Sequence, residues 1–276
     1  MNVKSLTTSL LLAASFALPG TGWAINVITD NAGSPGALTP AVDEFRGLIG
    51  GSLNANAPTN FVGGRREINW DAVPDASADP NFIATNFFNT GVGGRARGLE
   101  FHSSNNQFMV SSKAASGEPI AFGSPGDFVA FSAERMFAPI GTLTTEITFF
   151  DPVHPAVRAT TNAFGAVFED VEERGGKMVF QDLAGNQLLS LDIPRGGNAG
   201  LSFAGATFAS AVVGKVVITV GNAVLNADGT FGPGTDGVVM DDFIYGEPVP
   251  VPEPSTYAML GLGLAAILLA RRRRTA

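Results

Sequence analysis

From Leu143 to Phe150 apolar and polar side chains alternate: Leu143, Ile147 and Phe149 fall on one face, Thr144, Glu146 and Thr148 on the other. That two-residue period predicts a strand with one buried face. The same reading predicts strands at 67–70, 108–111, 127–131, 164–171, 177–181, 187–193, 201–208, 215–220 and 238–245. Asp182-Leu183-Ala184-Gly185-Asn186 reads as the turn of a hairpin. One short helix fits the pattern: Thr39 as its cap, Pro40 at its first position, and Gly50-Gly51 ending it. Val42, Phe45 and Ile49 would share its apolar face, with Leu48 beside them. Residues 50–64 and 72–98, rich in Gly, Asn, Ala and Pro, read as long surface loops. About ten strands punctuated by turns predict an all-β fold, a two-sheet sandwich of jelly-roll type with one short helix.

Both ends of the chain break this pattern. Residues 1–24 have the layout of a secretory signal peptide: Lys4, an apolar stretch from Leu10 to Leu18, then Gly22-Trp23-Ala24 with small residues at the −3 and −1 positions. Cleavage after Ala24 would leave Ile25 first. Residues 257–270 carry no charge and are followed by Arg271, Arg272, Arg273 and Arg274. As a helix this run covers about 21 Å, a short single transmembrane span against a hydrocarbon core of about 30 Å. The arginines are expected to stay cytoplasmic, acting as a stop. The layout is thus a signal peptide at 1–24, a β-sandwich body at 25–248 and a tail at 249–276.

Val251, Pro252, Glu253, Pro254 and Ser255, then the apolar run, then the arginine cluster, together resemble a PEP-CTERM sorting signal. The resemblance implies an exosortase-type partner that processes the chain at or near Pro252 to Ser255. It also implies a Gram-negative bacterium that makes extracellular polysaccharide. The precursor would be tethered to the inner membrane, then released to the cell surface or extracellular matrix. Two further segments, Gly64 to Asp71 and Met240 to Pro248, resemble stretches of uncharacterised proteins with this tail. They imply no activity.

The net charge is −8, and a body that loses Lys4 and the terminal arginines becomes more acidic still. No nucleic-acid partner is expected of such a surface. There is no cysteine, so no disulfide braces the exported domain. Catalytic parts are few. His102 and His154 are the only histidines, and the chain holds neither a Gly-x-Ser-x-Gly elbow nor a His-Glu-x-x-His helix. Gly232, Gly234 and Gly237 match a dinucleotide fingerprint in spacing only, because a strand follows where the fingerprint needs a helix.

Carboxylates offer more chemistry. Asp241 and Asp242 are neighbours in the last strand and are expected to point to opposite faces, one of them into the core. A buried carboxylate needs a cation or hydrogen-bond donors. With Glu169, Asp170 and Asp228 they form the candidate ligand set for a structural calcium ion. Glu172, Glu173 and Asp236 lie near these in sequence. Asp228-Gly229 also reads as an ordinary turn. Trp70, beside Asn69 and Asp71, is the candidate carbohydrate platform. The expected role is structural or adhesive and non-enzymatic, with a calcium-dependent carbohydrate-binding module as the alternative. A glycan hydrolase would need two acids, such as Asp170 and Asp242, to meet in a cleft about 5–10 Å apart.

Overall fold

The computed structural model describes residues 24–172 and 176–251. Residues 1–23 of the signal peptide, Pro252 to Ser255, the apolar run, the arginine cluster and Glu173 lie outside the described residues, while Ala24, at the cleavage position, is described. Fourteen strands and one α-helix are described: β1 (Ala24–Ala32), α1 (Pro35–Ile49), β2 (Arg65–Ile68), β3 (Leu99–His102), β4 (Phe108–Val110), β5 (Phe137–Pro139), β6 (Thr144–Phe149), β7 (Ala159–Thr160), β8 (Ala163–Glu169), β9 (Lys177–Gln181), β10 (Gln187–Asp192), β11 (Leu201–Phe208), β12 (Lys215–Thr219), β13 (Val239–Gly246) and β14 (Val249–Pro250).

The strands form a sandwich. One sheet runs β1-β11-β8-β13-β5-β4, with β2 also on β13; the other runs β10-β9-β12-β6-β3. Their paired strands are antiparallel. Phe164, Phe168, Phe243 and Tyr245 from the first sheet meet Ile147, Phe149, Phe180 and Val216 from the second in the main core. β8, β11 and β13 are buried at every residue, because α1 covers the outer face of their sheet. Leu38, Val42 and Phe45 of α1 pack there on Ala163, Val167, Phe203 and Ile244. Gly165 and Gly205 are paired across β8 and β11. They form the hollow that receives Phe45: a Cβ on Gly165 would lie 2.7 Å from that ring and a Cβ on Gly205 2.8 Å from it.

Four local expectations are corrected. The helix starts at Pro35, not Pro40, with Ser34 extended before it and Pro40 inside it. Pro35 takes the first-position role, and Thr39 donates its hydroxyl to the Pro35 carbonyl at 2.8 Å instead of capping. Residues 127–131 form no strand; the Phe131 N–H is taken by a carboxylate. The 72–98 segment is irregular but not superficial, since Val73, Ile83, Phe87 and Phe88 are buried in the main core. Asp241 and Asp242 do not face opposite ways. A β-bulge lies between Met240 and Phe243 against β8, and both carboxylates accept from the same Ser132 hydroxyl, at 3.0 and 2.8 Å. The extra residue of a bulge breaks the strict alternation on which the face assignment rested.

Candidate functional site

β2 and β5 lie end to end along one edge of β13: Met240 pairs with Phe137, while Phe243 to Gly246 pair with Ile68 to Arg65. The bulge falls in the gap between them, and Trp70 fills that gap. Its indole N–H donates to the Asp241 carbonyl at 2.7 Å. Its ring stacks on Phe137, centroids 4.1 Å apart and planes 2° from parallel. Phe88, Phe101 and Phe243 meet it edge-on. Trp70 is 1% exposed and borders a cavity, but its face is stacked on Phe137, so the expectation of an exposed sugar platform is corrected.

On the helix side of the bulge three acids converge. The Asp241 carboxylate accepts from the Phe131 N–H at 2.7 Å and the Ser132 N–H at 3.1 Å. Glu169, opposite Val239 on β8, is fully buried and neither of its oxygens receives a well-formed hydrogen bond. Burial pushes its carboxyl up to about 8. Burial and the neighbouring Glu169 raise Asp241 well above the usual carboxylate range, and burial raises Asp242 as well. Burial thus favours the neutral forms of Glu169 and Asp241, and two acids this close titrate as a pair.

Arg46 of α1 reaches Asp242 at 3.4 Å and grips Glu67 through two bonds of 3.0 and 2.9 Å. Arg65 also bonds Glu67, at 2.6 Å. Deeper along β2, Arg66 pairs with Glu247 through bonds of 2.7 and 2.8 Å. Beside β2 runs a groove of about 450 Å³, bordered by Arg46, Glu67, Ser132 and Asp242. Asn56, Asn69 and Arg97 separate it from a cavity of about 380 Å³ lined by Val73, Pro74, Phe87 and Arg95.

A larger acidic cleft of about 700 Å³ opens elsewhere, lined by Asp79, Glu118, Asp127, Asp170, Glu172 and Asp228 among others. Burial, then the surrounding acids, raise Asp170 to about 6, although the Ala199 N–H donates to it at 2.8 Å. Asp228 is held in its turn by the Thr230 N–H at 3.0 Å and hydroxyl at 2.6 Å.

The structure therefore splits the candidate calcium set. Glu169, Asp241 and Asp242 meet at the bulge, whereas Asp170 and Asp228 line the separate cleft. Among the described residues no three Asp, Glu or His side chains are arranged to hold a metal ion. Asp170 and Asp242 border different cavities, so the acid pair imagined for a hydrolase does not form. His154 contacts Asp151 at 2.8 Å and His102 contacts Glu100 at 3.2 Å. Among the described residues no hydroxyl hydrogen-bonds to either imidazole. Sequence reasoning missed Arg66, Arg95, Arg97 and Glu247. The signal was available in part: Arg66 and Glu247 each lie in one of the two segments singled out for resemblance, and β2–β13 pairing joins those segments.

Val249 and Pro250 pair with β7, and the Val251 N–H donates to the Arg158 carbonyl at 3.0 Å. The body thus holds the first residues of the tail, Val249 to Val251, through a separate two-stranded sheet. Residues 250–274 match the PEP-CTERM protein-sorting motif. The motif implies an exported, membrane-anchored precursor processed by an exosortase-type enzyme. No curated protein matches the chain. Among solved structures, TmCBM61 in complex with β-1,4-galactotriose is similar at 13% identity and a TM-score of 0.25, over 56% of this chain and 88% of that one. A likeness at that level carries no argument about this protein. Among the described residues no helix is long and apolar enough to cross a membrane.

Proposed function

We propose that the body is a non-enzymatic, jelly-roll-type structural or adhesive domain, delivered by its PEP-CTERM tail to the cell surface or extracellular matrix of a Gram-negative host. One observation carries the reading: a densely packed sandwich is pinned by β14 and Val251 directly to the sorting motif at 250–274. The sandwich is the part that such processing leaves outside the cell. A Ser-His-Asp triad has no support among the described residues, since each histidine contacts an acid and no hydroxyl. A calcium-dependent carbohydrate-binding module is less well supported, with Trp70 in the core and the five candidate acids divided between two sites.

The test is co-sedimentation of the full-length chain with host cells that do or do not make their exopolysaccharide. Retention on polysaccharide-bearing cells alone supports adhesion to the polymer. Equal retention on both cell types moves the partner to the envelope itself, and no retention contradicts adhesion.

A further inference from the structure

Arg95 and Arg97 stand in an unusual position for arginines of an acidic chain. Arg97 is 7% exposed and its guanidinium bonds only main-chain carbonyls, Gly94 at 3.2 Å and Glu67 at 2.7 Å. It has no carboxylate partner among the described residues. The Glu67 side chain in the next groove is already committed to Arg46 and Arg65. Burial lowers the Arg97 pKa, and nearby Arg66 acts in the same direction. The Arg95 side chain makes no hydrogen bond or ion pair among the described residues; its guanidinium lies 3.9 Å from the centre of the Phe87 ring. Arg97 lies likewise 4.7 Å from that of Phe88. Both arginines line the 380 Å³ cavity, and no Asp or Glu side chain does. Asn56 adds a buried side-chain oxygen with no partner. The rest of the wall includes Trp70, Val73, Pro74 and Phe87.

A buried guanidinium is stabilised by an anion of matching planar geometry. The volume suits a single small ring, and the apolar wall suits the face of that ring. We propose that this cavity binds a carboxylate carried on a ring of monosaccharide size, with Arg95 and Arg97 holding the carboxylate, Asn56 accepting from a ring hydroxyl, and the ring lying against Val73, Pro74 and Phe87. A carboxylated sugar and a free cyclic organic acid share this chemistry. The inference deepens the adhesive reading by naming a ligand class. It can fail while co-sedimentation succeeds, and the reverse.

The test is ligand-observed NMR and calorimetry on the full-length protein in detergent, with D-glucuronate, D-glucose and benzoate as probes. Glucuronate is expected to bind with a Kd on the order of millimolar, at least about tenfold more tightly than glucose, and more weakly as salt rises. Arg95→Gln is expected to weaken it about tenfold. The Arg95 side chain makes no hydrogen bond among the described residues, so this variant separates binding from folding, which replacing Arg97 would not. Binding of either carboxylate supports the site; benzoate without glucuronate assigns it to a free acid and not to a sugar. Equal binding of glucose and glucuronate, no binding of either carboxylate, or an unchanged Kd in a folded Arg95→Gln variant overturns it.

Discussion

Arg66 and Glu247 form a bidentate ion pair with side chains 0% and 2% exposed. Every other N–H of that guanidinium ends on a main-chain carbonyl: Ala55 at 3.2 Å, Thr59 at 2.9 Å and Ala96 at 2.6 Å. One arginine therefore ties two irregular segments to β13. Removing one partner of a buried pair leaves the other charge uncompensated, at a cost of about 3–5 kcal/mol. Glu247→Ala is expected to lose that much in urea unfolding. Replacing both residues with apolar ones of similar size is expected to cost less than the single change.

Trp70 contributes through its indole N–H as well as its area. Trp70→Phe keeps a ring against Phe137 but leaves the Asp241 carbonyl without a donor at the bulge, and is expected to cost about 1–3 kcal/mol. Trp70→Ala also opens a cavity among Phe88, Phe101 and Phe243, and is expected to cost about 3–5 kcal/mol. Denaturant midpoints of the two variants give the comparison.

The acids at the bulge make stability depend on pH in a defined direction. Glu169 moves from an ordinary value of 4.5 to about 8 in the fold. A carboxyl whose folded pKa is raised favours the native state in its protonated form. Its contribution is complete below about 4.5 and is lost as pH climbs through about 8. Asp241 and Asp242 are also raised and act in the same direction, while Arg46 opposes the rise at Asp242. The melting temperature is expected to fall between about pH 5 and pH 9. In Glu169→Gln the fall is expected to be shallower. Chelator is expected to leave both profiles unchanged; a fall on chelation, greatest at high pH where the acids ionise, would assign the three acids to calcium instead.

Docking of α1 depends on absent side chains. Gly165→Ala places a methyl group 2.7 Å from the Phe45 ring and 2.8 Å from Phe203. Overpacking of this kind costs about 1–3 kcal/mol. Phe45→Ala in the same background is expected to relieve part of that strain, so the two changes are non-additive in a double-mutant cycle.

The sandwich is legible in the sequence where burial follows the strand period. The 201–208 and 177–181 ranges coincide with β11 and β9, and 144–149 lies within the range read from its alternation. The two-residue β7 escapes because so short a strand carries no period. The helix start was obscured by two prolines with similar claims to the first position. The site was harder to read. A bulge cannot be seen in the string Met240-Asp241-Asp242-Phe243, yet it decides that both acids face Ser132. Trp70 beside Asn69 and Asp71 looks like a surface residue, but the gap between β2 and β5 draws it inward. Arg66 and Glu247 find each other across 181 residues, which no local pattern encodes.

Sorting by the tail is what would carry this sandwich to the outside of the cell. The most direct measurement follows an epitope-tagged full-length chain in its host, comparing the parent with a variant carrying Ala at Pro252, Glu253 and Pro254. Surface labelling and the apparent mass of the tagged species report delivery and processing together. The parent is expected to be shortened and surface-labelled, and the variant unprocessed and held in the membrane fraction. A variant shortened and displayed like the parent would contradict sorting by this motif.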